Sequence, residues 1–170
     1  MFERENVLNQ LLVRNRQVYM DSVTKVYNRR YYDERLKNLE GRFSFAMIDI
    51  DNFRHINDRF GHQAGDAAQA IKSQIRSDDE LVRYGGDEFF LLFRDLPQQI
   101  LEKKLQSIRA ALDEIVIEEY PELHISASIG GASAAGRISR TIRRADLAMY
   151  QAKLKKDCVA IYREAKERET

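Results

Sequence analysis

Two pairs of carboxylates stand where burial makes them expensive. Asp49-Ile50-Asp51 closes the apolar run Phe43-Ser44-Phe45-Ala46-Met47-Ile48, and Asp87-Glu88 directly precedes Phe89-Phe90-Leu91-Leu92-Phe93. A carboxylate at the end of a buried strand is costly unless it is paired or bound to a metal. Asp51 has a structural explanation as the N-cap of a helix running through Phe60 and ended by Gly61. Asp49 has none, because alternation puts it on one strand face with Phe43, Phe45 and Met47. A metal-ligand role for Asp49 therefore outweighs a buried salt bridge. Gly85-Gly86 ahead of Asp87 permits positive φ in a hairpin and lets a phosphate approach the backbone without a Cβ clash. If that hairpin lies beside the Asp49 strand, Asp87 and Asp49 converge. Hard oxygen donors suit Mg²⁺ that also holds phosphate oxygens, and two such ions can activate a hydroxyl and stabilise a leaving pyrophosphate.

A third set is Asn57, His62 and Asp66. An amide with both donor and acceptor, beside a carboxylate that accepts paired N–H groups, matches a guanine edge. Asn57 and Asp66 read equally well as helix-end caps. Arg54 and Lys153 are candidate cations for a triphosphate, although singly each reads as a surface charge. Met149 and Tyr150 beside Lys153 read as core and rim.

These residues need elements to hold them. Residues 3–20 pattern as an amphipathic helix with Val7, Leu11 and Val18 at coiled-coil-like spacing, interrupted by Arg14. A short helix is expected at Arg29–Asn38 and an alternating strand at Phe43–Ile50. The next helix carries the stripe Ala64, Ala67, Ala68, Ile71 and Ile75. Leu81–Tyr84 and Phe89–Arg94 are expected to pair around the glycines. Pro97 opens a helix with Leu101, Leu105, Ile108 and Leu112 inward. Leu123–Ile129 reads as a strand, Gly130-Gly131 as a loop, and Ile142, Ala145, Met149 and Ala152 as the buried stripe of a long helix. Cys158–Tyr162 is a final strand. The adjacent hairpin strands predict an α+β fold with a mainly antiparallel central sheet flanked by helices.

Composition limits the alternatives. The 170 residues suffice for one domain and a lead-in segment. A formal net charge of +1 offers no field for a long polyanion, so nucleic-acid binding is not expected. The clustered Arg137, Arg140, Arg143, Arg144, Lys153, Lys155 and Lys156 read mostly as a solvated helix face. No run approaches membrane-spanning length, so no membrane contact by this segment is expected. The charged N-terminus lacks a signal-peptide core, and a single cysteine, Cys158, excludes an internal disulfide framework. The expected location is cytoplasmic.

The motifs together resemble the GGDEF family of diguanylate cyclases, over nearly the whole chain from Asp21. Gly85-Gly86-Asp87-Glu88-Phe89 is the family's naming motif unaltered, and Asp49-Ile50-Asp51-Asn52-Phe53-Arg54 matches its Asp-Ile-Asp-x-Phe-Lys segment with arginine for lysine. Asn57-Asp58, Gly61-His62 and Gly65-Asp66 match the family's next segment, Asp21-Ser22-Val23-Thr24 and Asn28-Arg29-Arg30 the lead-in, and Arg144-Ala145-Asp146 through Lys153 the last helix. The resemblance implies a fold like the nucleotide cyclases and polymerase palms. It divides the chain into residues 1–20, a linker or dimerisation helix, and a catalytic domain at 21–170.

The implied activity is condensation of two GTP molecules into cyclic di-GMP and two pyrophosphates, by attack of a ribose 3′-hydroxyl on an α-phosphate. Asp49, the Ile50 carbonyl and Asp87 would hold two Mg²⁺ or Mn²⁺ ions, and Asp87 or Glu88 would assist deprotonation. Asn57 and Asp66, in the segment that includes His62, would read guanine; Arg54 and Lys153 would contact phosphates. Since each domain holds one GTP, a homodimer is implied for catalysis. Arg76-Ser77-Asp78-Asp79 matches the family's Arg-x-x-Asp inhibitory site, where Arg76 and Asp79 would bind product. The chain departs from the family at Val23-Thr24-Lys25-Val26, usually Leu-Thr-Gly-Leu, and at Lys156-Asp157-Cys158, commonly Gly-Arg-Asn. Asp157 puts a negative charge where a phosphate-binding arginine is expected. The competing expectations are a catalytically silent receptor for GTP or cyclic di-GMP and another nucleotidyl-transfer enzyme of palm-like fold.

Overall fold

The computed structural model describes residues 2–52, 63–118 and 120–164. In chain order these form α1 (Phe2–Tyr19), β1 (Tyr27–Asn28) and α2 (Arg29–Tyr31), which continues into a π-helical turn at Tyr32–Leu36. Next come β2 (Glu40–Ile50), α3 (Gln63–Ser73), β3 (Glu80–Arg83), β4 (Glu88–Arg94) and α4 (Gln98–Asp113). The last elements are β5 (Ala127–Arg137), α5 (Ile138–Lys155) and β6 (Val159–Ile161). The helix expected to end at Gly61 lies outside the described residues.

The strands make one sheet in the order β1-β3-β4-β2-β5-β6. Its four central strands are antiparallel, while β1 and β6 pair in parallel at the two edges. Strand alternation sorts the core into two layers. Ala46, Ile48, Ile50, Phe89, Leu91 and Phe93 face the inward stripes of α3 and α4. Phe43, Phe45, Phe90 and Leu92 face Leu36 of the π-helical turn and Ile138 and Ala145 of α5. Leu101, Leu105, Ile108 and Leu112 are fully buried, as their helical spacing predicts.

One expectation fails for an identifiable reason. Gly130-Gly131 is not a loop but lies within β5, which begins at Ala127 rather than Leu123. A Cβ on Gly130 would sit 2.2 Å from the Met149 backbone nitrogen, and one on Gly131 would sit 2.5 Å from Leu105 Cδ1. The glycines therefore serve close packing of helices on opposite faces of the strand. Of the residues at coiled-coil-like spacing in α1, Val7 and Leu11 are exposed and Val18 is half-buried.

The C-terminal end of α1 is nevertheless tied down. Asn28 Nδ2 donates to the Val18 carbonyl at 2.9 Å, and Tyr19 Oη donates to Glu34 at 2.7 Å. Tyr31 stacks on Tyr27 with ring centroids 3.7 Å apart, and Tyr19 meets Tyr31 edge-on.

Candidate active site

Antiparallel pairing of β2 with β4 sets Asp49 directly opposite Glu88, on the face shared with Met47 and Phe90. The Ile50 N–H donates to the Asp87 carbonyl at 3.0 Å, which fixes the hairpin end against the end of β2. The expected convergence of hairpin and strand is therefore present in the backbone. The Glu88 carbonyl accepts from Tyr84 N at 2.8 Å and Gly85 N at 3.2 Å, closing the turn. Neither Gly85 nor Gly86 has a positive φ, contrary to expectation. Space is what the pair provides: a Cβ on Gly86 would meet nothing within 4 Å, and one on Gly85 would crowd Glu88 Oε2 at 3.1 Å.

Lys153 reaches this corner from α5, its Nζ 2.9 Å from Asp49 Oδ2. That reach depends on how closely α5 lies on the sheet, hence on Gly130 beneath Met149. Burial pushes the Asp49 carboxyl up; the Lys153 ammonium opposes that, and Asp87 and Asp51 add to it. Glu88 is likewise raised by burial and then by the charge of Asp49. The hydrogen bond to Asp49 raises Lys153 in turn. Beside these charges a crevice of about 470 Å³ opens, lined by Tyr32, Tyr84, Glu88, Met149, Tyr150 and Lys153. Met149 is buried and Tyr150 exposed, as core and rim.

Among the described residues, no three acidic, histidine or cysteine side chains stand ready as a metal cage. Mg²⁺ seldom uses one; it takes one or two carboxylates and fills its octahedron with phosphate oxygens and water. Asp49 and Asp87 fit that donor set, since the Asp87 charge adds to the cost of ionising Asp49 and a cation would relieve it.

Two hydrogen-bonded networks hold the site from behind. Asp51 is buried, and its carboxylate accepts from Ser128 Oγ at 2.8 Å, Ser126 Oγ at 3.0 Å and the Asp157 N–H at 3.0 Å. It thereby joins the end of β2 to the start of β5 and to the turn after α5. Asp157 itself pairs with Arg109 of α4 at 2.9 Å, so its charge is compensated within the protein. In the second network Arg83 donates to the Gly86 carbonyl at 3.0 Å and to Asp21 Oδ1 at 3.2 Å. The same Asp21 oxygen accepts from Val23 N, Thr24 N and Thr24 Oγ1, which builds the turn after α1.

Of the other residues singled out, Asp66 lies exposed in the first turn of α3. Arg54, Asn57 and His62 lie outside the described residues. Arg76 and Asp79 close a small turn ahead of β3, where the Arg76 N–H donates to Asp79 Oδ2 at 2.9 Å. They are separate from the Asp49–Lys153 corner and line another cavity.

A family model described as diguanylate cyclase, GGDEF domain, matches residues 18–157. The chain belongs to this family. Diguanylate cyclase DgcS of Shewanella oneidensis is 31% identical over 156 residues, 81% of this chain and 50% of that protein. Diguanylate cyclase DosC of Escherichia coli K12 is 33% identical over 157 residues, 83% of this chain and 34% of that one. The chain thus spans half or less of these curated relatives. Its fold matches the coiled coil and GGDEF domain of DgcB from Caulobacter crescentus, solved in complex with c-di-GMP, at a TM-score of 0.79. That likeness, at 24% identity, covers 94% of this chain and 93% of the other.

Within this GGDEF domain, the departures from the family pattern have local structural readings. Lys25 and Lys156 stand at positions where the family usually has glycine, and both hold φ of 56°. The backbone keeps the glycine conformation although the residue has changed. Sequence reasoning missed the Asp21–Arg83 link, the Ser126 and Ser128 donors to Asp51, and Arg109 as the partner of Asp157. The flanking of Gly85-Gly86 by both Arg83 and Asp87 was the one available hint of the first.

Proposed function

We propose that this domain is a diguanylate cyclase, joining two GTP molecules into cyclic di-GMP with release of two pyrophosphates. The observation that carries the reading is the meeting of Asp49, Glu88 and Lys153 beside an intact Gly85–Phe89 hairpin whose Gly86 is open to a ligand. Asp49, Asp87 and the Ile50 carbonyl would hold two Mg²⁺ or Mn²⁺ ions, which supply charge stabilisation to the phosphates. Glu88 or Asp87 receives the proton of the ribose 3′-hydroxyl; burial of Glu88 raises its affinity for that proton. The oxygen then bonds to the α-phosphorus of the facing GTP as the bond to pyrophosphate breaks. Lys153 and Arg54 supply cations to the phosphates, while Asn57, His62 and Asp66 belong to the guanine-reading segment.

One GTP per domain requires two domains face to face, and α1 is the element that would pair them. Its exposed Val7 and Leu11 suit that role. Arg76 and Asp79 would bind the product as an inhibitor. No helix among the described residues is long and apolar enough to cross a membrane, and we assign the domain to the cytoplasm.

The test is incubation with GTP and Mg²⁺ or Mn²⁺ at high protein concentration, with products separated by chromatography. Cyclic di-GMP and pyrophosphate should accumulate. Bound GTP without turnover would instead identify a silent receptor domain, and a different cyclised or polymerised nucleotide another transferase.

A further inference from the structure

The last helix, α5, has two faces of different fate. Ala145, Ala148, Met149 and Ala152 are buried, whereas Leu147, Tyr150 and Leu154 are 54% to 67% exposed. The exposed three recur at the alternating three-and-four spacing with which one helix packs on another. A solvated helix face carries polar residues at such positions instead. Arg143, one spacing earlier, bounds the stripe. The stripe also adjoins the candidate site, because Tyr150 forms the rim of the crevice lined by Glu88 and Lys153.

Charge indicates what can cover this face. Asp146 and Lys153 are two helical turns apart and both line the crevice, so they flank the stripe on one side, one toward each end. Asp146 is exposed and makes no salt bridge among the described residues. Lys153 is half exposed and keeps donors beyond its bond to Asp49. A second α5 laid antiparallel on the first, about a two-fold axis near Tyr150, sets Asp146 of each copy against Lys153 of the other. Leu147 of each then meets Leu154 of the other, and the two crevices open on the same side of the helix pair. The stripe and its flanking charges thus complement themselves.

We propose that the Leu147–Tyr150–Leu154 face of α5 is where a second copy of this domain docks, a two-fold contact that holds the two nucleotide sites toward each other. The inference rests on the reading that two domains, each with one GTP, act together, and it adds the surface that aligns them. Three apolar side chains from each copy bury less than the roughly 1,000 Å² of a lasting interface, so the contact forms and releases with turnover. In this arrangement α1 tethers the pair and α5 sets its geometry.

The test uses the full chain with GTP and Mg²⁺. The double variant Leu147→Asn, Leu154→Asn should bind GTP as the parent does, because each nucleotide site belongs to one copy. Its cyclic di-GMP formation should fall at least about tenfold at a fixed low protein concentration, the worth of one buried leucine, and recover as concentration is raised. Asp146→Lys, which sets like charges face to face, should behave the same way. In a Cys158→Ser background, Gln151→Cys beside the proposed axis should cross-link to a second copy, whereas the exposed Lys103→Cys on α4 should not. Parental turnover by both stripe and Asp146 variants overturns the docking face. So does weakened GTP binding, or a loss of activity that higher concentration does not relieve. Failure of Gln151→Cys to cross-link also overturns it and would leave the stripe to an unlike partner. A parent that binds GTP without turnover fails the cyclase reading instead, and the cross-link then decides the contact alone.

Discussion

Lys153 Nζ lies 2.9 Å from Asp49 Oδ2, joining the last helix to the end of the central strand across the face that carries Glu88. The carboxylate is mostly buried, with 17% of its side chain exposed, while the lysine is about half exposed at 48%. The lysine can therefore turn toward a phosphate at little desolvation cost, whereas the aspartate cannot leave.

From this geometry Lys153→Met should lower cyclic di-GMP formation on the order of 100-fold, as expected for loss of one cation aimed at developing phosphate charge. Half-saturating Mg²⁺ should not rise, because the ammonium and the metal compete for the same Asp49 oxygen. Steady-state kinetics across a Mg²⁺ series reads both quantities. Unchanged turnover would show that Lys153 serves Asp49 only as a structural partner.

Asp87→Ala tests the hairpin carboxylate. It should abolish turnover while the fold persists, since among the described residues no hydrogen bond depends on the Asp87 side chain; its carbonyl, which accepts from Ile50 N, is kept. Chromatography of the products beside a thermal melt separates the two effects. Persistent cyclic di-GMP synthesis would contradict the metal assignment.

The Asp21–Arg83–Gly86 relay links the turn after α1 to the hairpin, although Asp21 touches none of the proposed reacting groups. Burial works against ionisation of Asp21, but the Thr24 and Arg83 donors outweigh it and hold its pKa below the usual value. The sign is that of a depressed carboxylate: its stabilisation is complete above the ordinary aspartate range and is lost as pH falls through the lowered value. Asp21→Ala removes that contribution and leaves a mostly buried arginine short of a partner, costing about 1–3 kcal/mol. Urea titrations at pH 7 and pH 3 should show a gap between parent and variant at neutral pH that narrows in acid. A gap independent of pH would mean the Asp21 charge is not involved.

Patterns with a period were legible in the sequence, and relationships across the chain were not. The stripe Leu101, Leu105, Ile108 and Leu112 and the alternation from Phe43 to Asp49 each arise from a single element's geometry, so they placed the core and Asp49 correctly. Gly130-Gly131 misled because a glycine pair signals a turn locally, whereas here it marks two helices pressing on one strand from opposite sides. Asp51 read as a cap because its donors Ser126 and Ser128 are 75 and 77 residues away. Asp157 looked out of place for the same reason, its partner Arg109 being 48 residues earlier.

Gly130→Ala should therefore be disproportionately damaging for a one-carbon change. The added Cβ would lie 2.2 Å from Met149 N and 2.6 Å from the Ala145 carbonyl, both backbone atoms that cannot rotate away. Lifting α5 costs at least about 2 kcal/mol and draws Lys153 from Asp49. A variant with parental stability and turnover would mean that α5 has slack against β5.

Lys156 offers the opposite case, a substitution expected to stabilise. Its φ of 56° and ψ of 162° fall in a region that only glycine occupies easily. The strain is retained because the neighbouring Asp157 N–H must reach Asp51 Oδ2, 3.0 Å away, while its carboxylate reaches Arg109. Both anchors lie on Asp157, and with the Lys156 N–H donating to the Ala152 carbonyl at 2.9 Å they hold the turn on either side of residue 156. Lys156→Gly removes the Cβ clash without touching either anchor, so stability should rise by about 1 kcal/mol. The urea midpoint should move up with an unchanged slope, the signature of altered stability without altered compactness. Should the midpoint stay or fall, the anchors would not be forcing the turn, and the tie between Asp51 and Asp157 would be weaker than its geometry indicates.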